Sequence, residues 1–237
     1  NTRILKNLVV FIKFSDSDIN VTNHLDDEKS VENAYKIYNS DTLFDMDSVN
    51  GTIKVPSFKK YFERESYGKL SIITEIFPKI NGKVVSYKDS HPIGYYLKYN
   101  DQNQIGYKDK EESTRREKEL VTNAISYIKN DVLASGITKD ELDTDADGKI
   151  DAISFIVEGQ KNLPSSIASG ELLWSHESSN MGINENILGK EVNAYTLIYA
   201  DDYTEIAGLF SLNKGNYGTI IHEFGHVLGY RDLYRYG

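Results

Sequence analysis

Apolar residues recur along this chain with two different periods, and most of its elements follow from them. Leu8-Val9-Val10-Phe11-Ile12, with Phe14 just beyond, is a short branched apolar run of the kind that fills a buried strand. The polar stretch Ser15-Asp16-Ser17-Asp18 ends it. Val31, Ala34 and Ile37 fall on one side of a helix predicted over 30–38, with Ser30 placed to cap it. Pro56 opens a second helix through Ser57-Phe58-Lys59-Lys60-Tyr61-Phe62, closed near Gly68. Residues 70–77 predict a strand, and 82–87 pair with a neighbour through the Asn81-Gly82 turn.

The clearest helix is predicted over 113–135. Leu120, Val121, Ala124, Ile125, Ile128 and Val132 recur at helical spacing, and Gly136 stands where a terminating glycine belongs. Strands are expected over 150–157, 171–174 and 192–199, and a last helix over 217–228. Strands and helices alternate without a repeat or a linker. The expectation is one α+β (α/β layered) domain over 1–237, a mixed twisted sheet flanked by helices.

Composition narrows the chemistry. Of 237 residues, 36 are acidic and 27 basic, a net charge of -9. Such a chain repels phosphate backbones, so nucleic acid is not an expected partner, while its carboxylates suit hard cations such as calcium. There is no cysteine, which excludes disulfides, thiolate zinc sites and a cysteine nucleophile. No apolar run reaches the length of a membrane span. The sequence starts at Asn1 with no signal-like segment, so any leader or propeptide is expected to have been removed or left out.

The segment from His222 to Asp232 carries the sharpest signal. His222 and His226 are four residues apart, one helical turn, so both imidazoles can meet one zinc at about 2.0–2.1 Å. Glu223 can reach a water at such a metal and take its proton, then return it to a leaving amine. Gly229 lies where a helix can end in a left-handed turn, after which Asp232 can swing back as a third, oxygen ligand. The plain alternative is a helix that holds two histidines by accident. The added Gly229 and Asp232 weigh against it.

A second pattern is Asp143-Thr144-Asp145-Ala146-Asp147-Gly148-Lys149-Ile150-Asp151. Asp143, Asp145, Asp147 and Asp151 stand at positions 1, 3, 5 and 9 of a calcium-type loop, glycine is at 6, and the Lys149 carbonyl can add an oxygen. Position 12 is Ser154 and a strand follows, so a sensor EF-hand is not expected; a structural calcium clip is. The alternative is a solvated acidic turn. Weaker signals surround these. Trp174-Ser175-His176-Glu177 could line a cleft or be a packed strand end. Asp201 and Asp202 read as loop acids, and Tyr234 and Tyr236 are candidates to stabilise an oxyanion.

Taken together, 222–232 with Leu233-Tyr234 resembles the immune inhibitor A family of secreted bacterial zinc metallopeptidases, a metzincin-like group. Ser57 to Phe62 with Ser66-Tyr67-Gly68-Lys69-Leu70, the acidic loop, and Leu173-Trp174-Ser175-His176 are similar to the corresponding family segments. The resemblance runs from about residue 8 to the end. It implies a secreted endopeptidase acting on protein or peptide, made with a propeptide and stabilised by calcium. It gives His222, His226 and Asp232 as zinc ligands and Glu223 as the catalytic carboxylate. Two departures stand out. Tyr230-Arg231 replaces the family's frequent Leu-Pro, which loosens the turn before Asp232. Met46 and Met181 both precede the motif, so the methionine turn of a lower subdomain is expected outside this chain. A rival expectation is a calcium-stabilised, zinc-binding surface domain without turnover, and a second is a zinc hydrolase of non-peptide substrates.

Overall fold

The computed structural model describes residues 2–17, 28–48, 51–158, 176–179, 182–199, 203–206, 209–212 and 214–231. In chain order the first half gives β1 (Arg3–Lys13), α1 (Glu28–Asn39), the hairpin β2 (Phe44–Ser48) and β3 (Gly51–Val55), α2 (Phe58–Glu65) and β4 (Leu70–Phe77). A small hairpin, β5 (Lys79–Ile80) and β6 (Lys83–Val84), and the short β7 (Tyr87–Lys88) lead to α3 (Lys110–Ala134) and α4 (Lys139–Leu142). Then come β8 (Ile153–Val157), β9 (His176–Ser179), the hairpin β10 (Asn186–Ile187) and β11 (Lys190–Glu191), and β12 (Ala194–Tyr199). A last hairpin, β13 (Tyr203–Ile206) and β14 (Leu209–Leu212), precedes α5 (Lys214–Val227).

The main sheet has the order β4-β1-β8-β12-β9, with β7 pairing the end of β1. β4, β1, β8 and β12 run parallel, and β9 alone is antiparallel, at the edge beside β12. A parallel sheet needs both faces covered. Alternation along β1 achieves this: Leu8, Val10 and Ile12 enter one core, Leu5, Val9 and Phe11 the other. The first core is closed by Leu120, Val121, Ala124, Ile125, Ile128 and Val132 of α3, the stripe expected from the sequence. The second is closed by α1, α2 and α5 through Tyr38, Phe58, Phe62, Ile220 and Phe224. This is a layered α/β arrangement with a mixed, mostly parallel sheet.

Local chemistry sets the ends. Ser57 caps α2 by accepting the Lys60 N–H at 3.1 Å and donates to the Ser40 carbonyl at 2.6 Å. Asp109 caps α3 through the Glu112 N–H at 2.8 Å, and Gly136 closes it at φ +82°. The turn at Asn81-Gly82 has φ of +51° and +78°, the conformation a two-residue hairpin requires. The strand expected over 171–174 lies outside the described residues.

A row of polar side chains crosses the second core. Asn39 clasps the Thr74 backbone with two 2.8 Å bonds. Asn7 donates to Thr74 Oγ1 at 3.5 Å, Ser154 donates to Asn7 Oδ1 at 3.2 Å, and Thr196 donates to Ser154 Oγ at 2.8 Å. Asn7, Thr74, Ser154 and Thr196 are all buried. Each strand from β4 to β12 thus contributes one polar group at the same level beneath the helices.

Candidate functional site

Helix α5 is seated by its apolar side. Phe224 meets Phe58 edge-on, with centroids 4.8 Å apart at 87°, and lies 5.5 Å from Phe62. At about 100° per residue, His222 and His226 are each turned roughly 200° from Phe224 and so point away from that core. Their rings stand at 85° with centroids 4.8 Å apart, and their Nε2 atoms are 3.3 Å from each other. Two nitrogens bound to one tetrahedral zinc at about 2.0–2.1 Å are themselves about 3.3 Å apart. The pair therefore fits a zinc ion without rearrangement.

The end of the helix orients one of these rings. Gly229 adopts φ +87°, its N–H meets the His226 carbonyl at 2.8 Å, and the Tyr230 N–H reaches back to the Gly225 carbonyl at 3.0 Å. These two bonds close the helix in a Schellman turn. The turn brings the Tyr230 carbonyl 2.8 Å from His226 Nδ1, which can only donate to it. The proton is then on Nδ1, and Nε2 keeps the lone pair a metal needs. Asp232, Tyr234 and Tyr236 lie outside the described residues.

Glu223 is only 8% exposed. Burial pushes its carboxyl above the ordinary range, and the nearby His222, the backbone N–H of Glu177 and then His226 and His176 pull it partly back. Glu177 belongs to β9, the edge strand that packs against α5. On the opposite face of the same strand, His176 Nε2 lies 3.0 Å from Glu117 Oε1 of α3, which also accepts the Tyr195 hydroxyl at 2.5 Å. Trp174, Asp201 and Asp202 lie outside the described residues.

The acidic loop is a separate cluster. Carboxylate oxygens of Asp143, Asp145 and Asp147 all lie within 4.8 Å of one another. Asp143 is buried and accepts the N–H groups of Asp147 and Gly148 at 3.0 Å each. Lys190 Nζ stands 2.5 Å from Asp143 Oδ2, and that ammonium, followed by the amides, holds the carboxyl below the usual carboxylate range. The Lys149 N–H donates to Asp147 at 2.8 Å. Asp151 is not drawn into the cluster; it is engaged by Arg3 at 2.9 Å and by the Thr144 N–H and hydroxyl at 3.0 and 2.6 Å. The loop is strapped to β11 by Ile150 N–H to Glu191 O and Glu191 N–H to Gly148 O, both 2.9 Å. A cavity of about 380 Å³ separates it from the end of α5, with Arg3, Asp145 and Asp151 on one side and Val227, Leu228 and Gly229 on the other.

Sequence reading did not single out Glu117, Tyr195, Lys190 or Arg3. One signal was available: Glu117 sits three, four and seven residues before Leu120, Val121 and Ala124, an acid on the apolar side of a helix. Residues 1–236 match the family model described as immune inhibitor A peptidase M6, catalytic domain. Comparison with curated proteins found no match.

Proposed function

The chain belongs to the immune inhibitor A peptidase M6 family and is a zinc metalloendopeptidase catalytic domain acting on protein; on that premise we propose a division of labour among its residues. His222 and His226 hold the zinc through Nε2, Asp232 completes the protein ligands, and Glu223 is the general base. The observation that carries this reading is the 3.3 Å spacing of the two Nε2 atoms beside a buried carboxylate. Zinc supplies a Lewis acid that brings the pKa of a water toward about 7 and withdraws electron density from the scissile carbonyl. Glu223 takes the water's proton and delivers it to the leaving amine. Its burial keeps that proton in reach after the first transfer, because the neutral acid is favoured there. The Tyr230 carbonyl holds the His226 tautomer throughout.

The acidic loop is read as a calcium clip. Asp143, Asp145 and Asp147 supply carboxylates, and Lys149 a carbonyl oxygen. Asp151 joins only by giving up Arg3 and Thr144. The enzyme is read as exported from a bacterium to the cell surface or beyond. Among the described residues no helix is long and apolar enough to cross a membrane.

The test is hydrolysis of a mixed peptide library by the full-length protein, with zinc and calcium added and products read by mass spectrometry. Glu223→Gln should lower cleavage by roughly 10²–10⁴-fold while zinc stays bound. A chelator should abolish it. Undiminished cleavage by Glu223→Gln would remove that residue from the mechanism. Zinc binding without any cleavage would favour a binding domain, and cleavage of small esters alone a non-peptide hydrolase.

A further inference from the structure

The strand packed against the helix that carries Glu223 is short and lies at the sheet edge. β9 is four residues long and lies at the sheet edge, and among the described residues it pairs only with β12, from Leu197↔His176 to Ala194↔Ser179. Short edge strands with one partner are the first parts of a sheet to open. On its α3 face, however, this strand carries a second attachment. Glu117 Oε1 lies 3.0 Å from His176 Nε2 and accepts the Tyr195 hydroxyl at 2.5 Å. Tyr195 is fully buried, its ring edge-on to Phe155 at 5.7 Å, and burial pushes its phenol well up, so it stays a donor. Glu117 is 8% exposed. A carboxylate at that depth is costly unless it is satisfied by strong donors. A purely apolar contact between α3 and the sheet would be cheaper, and Leu120 and Val121 on the next turn already provide one.

We propose that Tyr195, Glu117 and His176 form a hydrogen-bonded row that fixes β9 against α5 and thereby holds the helix that carries Glu223, making all three positioning residues for peptide-bond hydrolysis. The inference rests on the reading of Glu223 as general base. The row works through the backbone: helix α3 to Glu117, Glu117 to the imidazole, the imidazole to its own strand β9, and β9 to α5. Tyr195 adds rigidity to the Glu117 rotamer from β12, so the carboxylate is held both by the edge strand and by the strand it pairs with.

Two measurements test it on the full-length protein. The first needs no metal: amide hydrogen exchange across 176–179 in zinc-free Tyr195→Phe, Glu117→Gln and His176→Gln. Exchange there should rise at least about tenfold over wild type, with β1 and β4 unchanged. The second uses the zinc-loaded protein and a quenched-fluorescent peptide that wild type cleaves. Here kcat should fall about 10–100-fold with KM within about twofold, zinc content unchanged. The Tyr195→Phe/Glu117→Gln double variant should be no slower than the slower single, because both act through one path. Unchanged exchange in 176–179, a rise in KM at constant kcat, or multiplicative losses in the double variant would each overturn the proposal. Full activity of Glu223→Gln would instead overturn the role of the base, and the exchange result would still judge whether the row holds the strand.

Discussion

His226 owes its orientation to a carbonyl that only a left-handed residue can deliver. Gly229 sits at φ +87°, and a Cβ there would meet nothing within 4 Å, so the obstacle to any other residue is conformational alone. Gly229→Ala should therefore cost about 1–2 kcal/mol of backbone strain. The chain can relieve that strain by opening the turn and carrying the Tyr230 carbonyl away from Nδ1. Zinc affinity, read by competition with a chelating dye, is expected to fall about 10–100-fold, while the helix signal in circular dichroism stays the same. A second residue-scale expectation concerns Lys190. The ammonium is the largest cause of Asp143's lowered pKa. A depressed carboxyl contributes stability above its unfolded pKa of about 3.8–3.9 and loses it as pH falls through the folded value. Without calcium, Lys190→Met should melt below wild type by a constant margin from pH 7 to about pH 4, and the margin should close at more acid pH. A margin that persists at the acid end would mean that Lys190 acts through packing.

At the scale of elements, the polar row beneath the helices makes the strongest demand on the sheet. Ser154 donates to Asn7 and accepts from Thr196, so Ser154→Ala leaves two buried groups each short of a partner. That should cost about 1–3 kcal/mol in urea unfolding at unchanged slope. Adding Thr196→Val should cost less than its own single effect, because one of the orphaned groups is then gone. Elements were the most legible part of the sequence. The run from Leu8 to Ile12 is apolar at every position because β1 is covered on both faces, and the α3 stripe matched because one helix side alone faces the sheet. The hairpins at 44–55 and 186–191 went unread: their strands are short, two residues each in the second, and its turn places Leu188 at φ +51° before Gly189 at φ +82°. At the sites, spacing along the chain located the histidines and the acids but not their partners. Asp151 was placed by a loop rule, whereas Arg3, 148 positions away, engages it. Glu117 and Tyr195 meet from elements 78 residues apart, a contact that no local pattern encodes.

For the whole molecule, the balance of charge and the spacing of its two candidate ion sites set the response to cations. With a net charge of -9, calcium taken up at the acidic loop would relieve repulsion as well as engage carboxylates. At about 100 times its Kd it should raise unfolding free energy by about 2.7 kcal/mol. The rise should be seen in Glu223→Gln as in wild type, since that substitution leaves the loop untouched; equal unfolding curves with and without calcium would sink the clip. The order of the strands has a further consequence, in time. Leu8 of β1 pairs with Ile153, made 145 positions later. At roughly 5–20 residues per second of synthesis, the β8 side of β1 waits several seconds or longer for its partner, after β4 has been made on the other side. β12 can add only after β8, β9 only after β12, and α5 meets β9 only once that strand is in place. A chain still emerging from the ribosome therefore completes its main sheet only once β12 (Ala194–Tyr199) has been made.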